Sequence, residues 1–116
     1  LKITRLYTGS DNESHFEDVD IPLIDQGDIG KLSAKMNATG LIFRETPPDY
    51  NFGWHHAPQR QYVVMLSGNV EIEIGDGTKR LFQAGDIILA EDTTGRGHQS
   101  RSLDSQPRRS IFIMMD

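Results

Sequence analysis

The clearest pattern along the chain is Val70-Glu71-Ile72-Glu73-Ile74, where apolar and acidic residues alternate with a period of two. Successive strand side chains point to opposite faces, so this stretch reads as a strand with Val70, Ile72 and Ile74 on a core and both glutamates in water. Gly75-Asp76-Gly77 follows, and Asp-Gly tolerates the positive φ of a tight hairpin, which makes Thr78 to Phe82 the returning strand. Asp86 to Ala90 and Ile111 to Met115 lack alternation and read as strands buried on both faces. Further strands are expected at Leu1 to Tyr7, Phe16 to Ile21, Gly40 to Glu45, Gln61 to Leu66 and His98 to Leu103. Turn residues recur at short, even intervals and leave room for a helical turn only around Ile29 to Met36. Many short strands with dense turns and almost no helix predict an all-β sandwich or barrel.

Size and charge narrow the partners. At 116 residues the chain has the length of one domain. It is read as a single unit over 1–116, with 1–39 as N-terminal strands or an arm and 40–116 as the barrel core. A net charge of −5 argues against nucleic acid and anionic lipid, which need clustered Lys and Arg to neutralise phosphates. Apolar runs such as Tyr62 to Leu66 end far short of the ~20 residues of a membrane helix. A soluble, cytoplasmic protein is the expectation, although numbering from Leu1 is compatible with removal of an upstream segment. With no cysteine, thiolate metal sites, disulfides and Cys nucleophiles are excluded, and a metal must be held by His, carboxylate, amide or water. Gly95-Arg96-Gly97 lacks both the third glycine and the following helix of a dinucleotide site, so no nucleotide cofactor is expected.

Two segments carry the chemistry: "GWHHAPQRQYVVMLSG" at 53–68 and "QAGDIILAEDTTGRGHQS" at 83–100. Together they resemble the two motifs of the cupin superfamily, small jelly-roll barrels of short antiparallel strands. In the first motif a His-x-His pair is followed by Glu after three or four residues and by Gly six residues later. Here Gly68 takes the glycine place and Gln61 stands where the Glu belongs. His55 or His56 supplies one histidine according to the spacing, and the other is missing. In the second motif Gly85-Asp86 opens the strand, Glu91 replaces the usual proline and His98 supplies the histidine. The resemblance covers roughly residues 40–116 and implies a divalent-metal site of three His and one Glu in the barrel mouth. This chain offers His55 or His56, Gln61 and His98. An amide is a weaker oxygen donor than a carboxylate, so the expectation is a loosely held zinc, iron, nickel or manganese, or no metal.

Strand parity bears on the doubled histidine. If Gln61 faces inward, Val63 and Met65 follow it, and His55 shares their parity while His56 does not. The expected pocket therefore holds His55, Gln61, Val63, Met65, His98 and Ser100. Trp54 stands at its rim with Tyr50 and Phe52, and Arg44 or Arg96 is a candidate to clamp a carboxylate. Glu91 or Asp92, beside the motif histidine, is a candidate to orient His98 or to act as acid or base, with turn capping as the alternative.

His98 and His55 are the candidate catalytic residues of a small-molecule lyase, isomerase or dehydratase, with or without metal. The competing readings are a non-catalytic metabolite-binding or sensing module and, third, a metal-dependent dioxygenase, because the scaffold alone does not choose among functions. A homodimer is expected, paired through an N-terminal edge strand at Leu1 to Tyr7.

Overall fold

A computed structural model describes all residues, Leu1–Asp116. In chain order the strands are β1 (Lys2–Thr8), β2 (Ser14–Asp20), β3 (Ile24–Asp25), β4 (Lys31–Leu32), β5 (Ala38–Thr46) and β6 (Asn51–His55). They continue with β7 (Gln61–Ser67), β8 (Asn69–Glu73), β9 (Lys79–Gln83), β10 (Ile87–Glu91), β11 (His98–Arg101) and β12 (Arg108–Met115). The only helical element is a 3-10 turn at Gly27–Ile29, and no helix is long and apolar enough to cross a membrane.

The alternating stretch forms β8, and its partner across the Asp-Gly turn is β9, with Glu73 opposite Lys79 and Val70 opposite Phe82. One sheet has the order β2-β1-β10-β7-β12-β5 and the other β6-β11-β8-β9. Their apolar faces meet in a core of Leu6, Met65, Val70, Ile72, Ile74, Phe82 and Ile88, with Phe16 and Val63 packed against it. Burying each of these large side chains fully contributes about 1.5–3 kcal/mol. The non-alternating strand β10 lies inside its sheet, between β7 and β1, and its Ile88, Leu89 and Ala90 are all buried. Its pairing with β1 is parallel, and the other strand pairs are antiparallel.

Three expectations change. The helical turn expected around Ile29 to Met36 falls earlier, at Gly27–Ile29, and residues 30–36 are not helical: Gly30 takes a φ of +92°, and Lys31–Leu32 pairs with Ile24–Asp25 in the small hairpin β3–β4. Leu1 to Tyr7 is not an edge, because β1 sits between β2 and β10; the edges of that sheet are β2 and β5. Residues 51–55, where no strand is expected, form the edge strand β6. Residues 22–43 are exposed throughout. The radius of gyration, 14.7 Å, accordingly exceeds the ~13 Å of a compact domain of about 100 residues.

Candidate functional site

Between the two sheets lies a cavity of about 250 Å³, just below the range for ligand pockets, roughly 300–1,000 Å³. Strand register builds it. On β7 the alternate residues Gln61, Val63 and Met65 face it, and Val63 is flanked by Ile88 of β10 and Phe112 of β12. Across β12 and β5, Ser110 pairs with Arg44 and Arg108 with Thr46, so Arg44 and Arg108 are diagonal neighbours on one face of the sheet. Gly68 (φ +74°) fixes where β12 begins, because a Cβ there would lie 2.9 Å from the Arg108 Cα.

The opposite wall comes from β6, β11 and β8. His98 and His55 are direct cross-strand partners, with ring centroids 4.5 Å apart. Further along, Ser100 pairs with Ile72 on one side and Phe52 on the other. Gly97 allows this approach: its φ is +79°, and a Cβ would meet the His55 carbonyl oxygen at 1.9 Å.

His98 is nearly buried, at 7% exposure, and Asp92 behind it is fully buried. The His98 Nδ1 lies 2.5 Å from Asp92 Oδ2, and the Ser14 hydroxyl donates to the same oxygen at 2.7 Å. A carboxylate only accepts, so Nδ1 carries a proton, and in the neutral imidazole Nε2 is the nitrogen with the lone pair. His55 is fixed in the same sense, its Nδ1–H donating to the Gly53 carbonyl at 2.6 Å. Burial pushes the His55 pKa below the ordinary histidine value; the Gly53 bond and Asp92 oppose this, and the neighbouring His98 and Arg44 add to it. The wall thus presents two imidazoles, one backed by a buried carboxylate.

These residues do not fit a divalent-metal centre. No group of three or more His, Asp and Glu side chains is arranged so that it could hold a metal ion. The cavity supplies two imidazoles and the Gln61 amide, and the same space holds Arg44 and Arg108, whose positive charge opposes a cation.

Of the residues singled out in the sequence, His55, Gln61, Val63, Met65, His98, Ser100 and Arg44 line the cavity. Trp54 does not. Between Phe52 and His55, β6 uses three steps against two on β11, and this bulge turns both of those side chains inward. Trp54 faces out beneath Arg96, whose guanidinium carbon is 4.4 Å from the ring centroid. Arg96 bonds Glu13 and the Gly75 carbonyl and is no carboxylate clamp within the cavity. His56 is exposed. Of the acidic pair, Asp92 orients His98, whereas Glu91 bridges Arg5 and Arg60 at 2.5 Å each. Burial alone would raise the Glu91 pKa, but the bonds from the two arginines prevail and hold it below the usual carboxylate value.

Sequence reasoning missed Arg108 and Ser14. Arg108 follows a Ser-Gln-Pro turn and reads as a surface charge. Ser14 lies in a polar stretch 78 residues from Asp92. The alternation Arg108-Ser110-Phe112 was the available signal, and the apolar run beginning at Ile111 masks it.

No protein-family model matches the chain, and no curated protein is detectably similar to it. Solved structures are. A cupin 2 conserved barrel domain protein from Salinispora arenicola CNS-205 matches with a TM-score of 0.53 and 20% identity, over 66% of this chain and 61% of that one. The alignment therefore spans less than two thirds of that relative. The cupin domain of Schizosaccharomyces pombe Cnp3 matches over 99% of this chain and 88% of that one, at 13% identity and a TM-score of 0.51. Protein NMB1881 from Neisseria meningitidis matches over 70% and 79% respectively, at 19% identity and a TM-score of 0.50. With the two-sheet β architecture and the cavity between its sheets, these likenesses identify the fold of the chain as a cupin-like, jelly-roll β-barrel.

Proposed function

We propose that the protein binds a small molecule in the inter-sheet cavity and moves a proton on it without a metal, as a lyase, isomerase or dehydratase. The observation that carries this reading is the buried Asp92–His98 pair on the cavity wall. With Nδ1–H held by Asp92, His98 Nε2 is an acceptor facing a space of metabolite size. A substrate C–H or O–H proton passes to Nε2, and the Asp92 carboxylate stabilises the imidazolium that forms. The same proton returns to a neighbouring atom in an isomerisation. In a dehydration it goes to the departing hydroxyl, so that a C–H and a C–O bond break, a C=C bond forms and water leaves. His55, held neutral by burial, supports the bound molecule as a second acceptor. Oxidative chemistry with iron would need donors beyond two imidazoles and an amide.

The test is ¹H NMR in D₂O with a panel of small hydroxy and carbonyl compounds. Solvent deuterium incorporation or product formation is expected, lost in His98→Ala. A compound that raises the melting temperature with no exchange or turnover would replace this reading with a binding or sensing module. No binding and no turnover would overturn it. Elemental analysis of protein made without a His tag is expected to find substoichiometric metal. Stoichiometric metal lost in both His55→Ala and His98→Ala would establish a metal centre instead.

We also propose a homodimer, formed through the β5 edge and the arm that precedes it rather than through β1. Leu23, Ile24, Ile29, Leu32, Met36, Leu41, Ile42 and Phe43 are 38–75% exposed. Leu41 and Phe43 share the outer face of β5, the side opposite Ile42 and its cross-strand partner Phe112, and a stable complex buries ~800 Å² on each partner. The free β5 backbone offers the adjoining ladder. Light scattering should give twice the chain mass, falling to the monomer in Phe43→Glu; a monomeric native protein would refute it.

A further inference from the structure

We infer that Arg44 and Arg108 form a carboxylate-binding subsite at one end of the cavity, so that the ligand is a small organic acid. The inference rests on the reading that the cavity holds a small molecule. Eight arginines occur in the chain, and six of them are paired with acids. Arg5 and Arg60 share Glu91, Arg80 meets Asp18, Arg96 meets Glu13, Arg101 meets Glu71 and Arg109 meets Glu45. The two that pair with no carboxylate are the two that line the cavity. In a chain with 17 acidic residues against 12 basic ones, acids are not in short supply.

Arg108 is only 5% exposed, and its Nη1 is buried without a hydrogen-bond partner. Leaving a buried guanidinium unpaired opposes folding, because the charge has lost water and gained no anion. Burial and the adjacent Arg44 both lower the Arg108 pKa, yet a guanidinium stays charged at neutral pH. What holds the two cations together is Tyr50, whose ring centroid lies 5.2 Å from the Arg44 guanidinium carbon and 5.0 Å from that of Arg108. Phe112 gives Arg44 a second aromatic face at 5.5 Å. Aromatic faces position a guanidinium without using its N–H donors; the Tyr50 side chain also hydrogen-bonds Arg108 and opposes its lowered pKa, and the unpartnered Nη1 remains free for an acid.

The cavity then has two chemically distinct ends. Arg44 and Arg108 come from β5 and β12, and His98 and His55 from β11 and β6 of the facing sheet. An acid anchored by its carboxylate at the first end presents the rest of its skeleton to the imidazoles. The substrate class of the proposed proton transfer is accordingly a short carboxylic acid with a hydroxyl or carbonyl group beyond the anchor.

Binding of propionate, of its neutral counterpart propionamide and of methyl phosphate, followed by NMR titration of cavity methyl signals, tests the inference. Propionate is expected to bind at least tenfold more tightly than propionamide, and more tightly than methyl phosphate. Arg108→Met is expected to lose at least tenfold in propionate affinity while its melting temperature stays level or rises, since the variant removes an unpaired buried charge. Arg44→Gln, at a half-buried position, should weaken propionate binding in a fold left intact. Equal binding of propionate and propionamide would overturn the carboxylate subsite while leaving a small-molecule cavity in place. Tighter binding of methyl phosphate would replace the carboxylate by a phosphate ester. A marked fall in the melting temperature of Arg108→Met would assign Arg108 to the fold and overturn the inference. Absence of binding by all three compounds would overturn the inference and the cavity reading together.

Discussion

Exchanging Asp92 for asparagine removes one negative charge from behind His98 and keeps the shape of the side chain. In the native protein Oδ2 accepts from His98 and from Ser14, and Oδ1 is buried with no partner. The carboxylate both fixes the proton on His98 Nδ1 and stabilises the imidazolium. A hydrogen bond to a charged group is worth about 1.5–3 kcal/mol, which at ~1.36 kcal/mol per tenfold corresponds to roughly a 10- to 150-fold loss of turnover. Stability should move little, within about 1 kcal/mol, because the lost charge-assisted bonds are offset by the smaller desolvation of a neutral amide. Asp92→Ala is the contrasting case: it strands two buried donors, Ser14 and His98, and should cost about 2–5 kcal/mol. Urea unfolding measures both variants, and long-range ¹H–¹⁵N correlation spectra report which His98 nitrogen carries the proton. Native His98 should be protonated on Nδ1, and Asp92→Asn should give a mixture, since an amide can present either C=O or N–H. A native His98 protonated on Nε2, or an Asp92→Asn variant with undiminished turnover, would refute the reasoning.

Other expectations follow from neighbouring residues. His55 has a depressed folded pKa, so the unfolded chain binds more protons as pH falls; stability is full above the unfolded value of ~6.5 and declines as pH drops through the folded pKa. His55→Gln should flatten that acid limb in urea midpoints taken between pH 7 and pH 5. Glu91 is likewise depressed, and its stabilisation, about 1 kcal/mol for partly exposed pairs, is present above ~4.3 and lost as pH falls through the folded pKa. Glu91→Gln should therefore destabilise at pH 7 and make little difference at pH 3. Gly97→Ala meets both a positive φ and the His55 carbonyl; a loss of more than ~2 kcal/mol, together with loss of ligand binding, should appear in thermal melts with and without ligand.

Local pattern made much of the fold legible. Val70 to Ile74 carries its face assignment in its own alternation, and the Asp76-Gly77 turn specifies its hairpin partner. The apolar run at Asp86 to Ala90 announces an interior strand. His55 and His98 could be placed in one pocket because each sits in a recognisable motif segment. What stayed hidden depends on pairing between distant segments. The bulge in β6 exists only against β11, so parity counted along the chain could not show that Phe52 and His55 face the same way while Trp54 turns out. The position of β1 inside its sheet depends on β10, 86 residues away at the Arg5–Glu91 contact.

The sequence by itself determined an all-β chain, the turns that cut it into strands and the absence of thiol chemistry. Each of these is a property of a residue or of its immediate neighbours. Only the tertiary structure decided that Asp92 rather than Glu91 backs His98, that Ser14 completes the pair, and that Arg44 and Arg108 share one end of the cavity. Those are relations of charge to burial, and an arginine on a strand carries no local mark of whether an acid waits for it across the sheet. Register between β5 and β12 removes water from Arg108 and supplies no anion, and that imbalance points to a ligand.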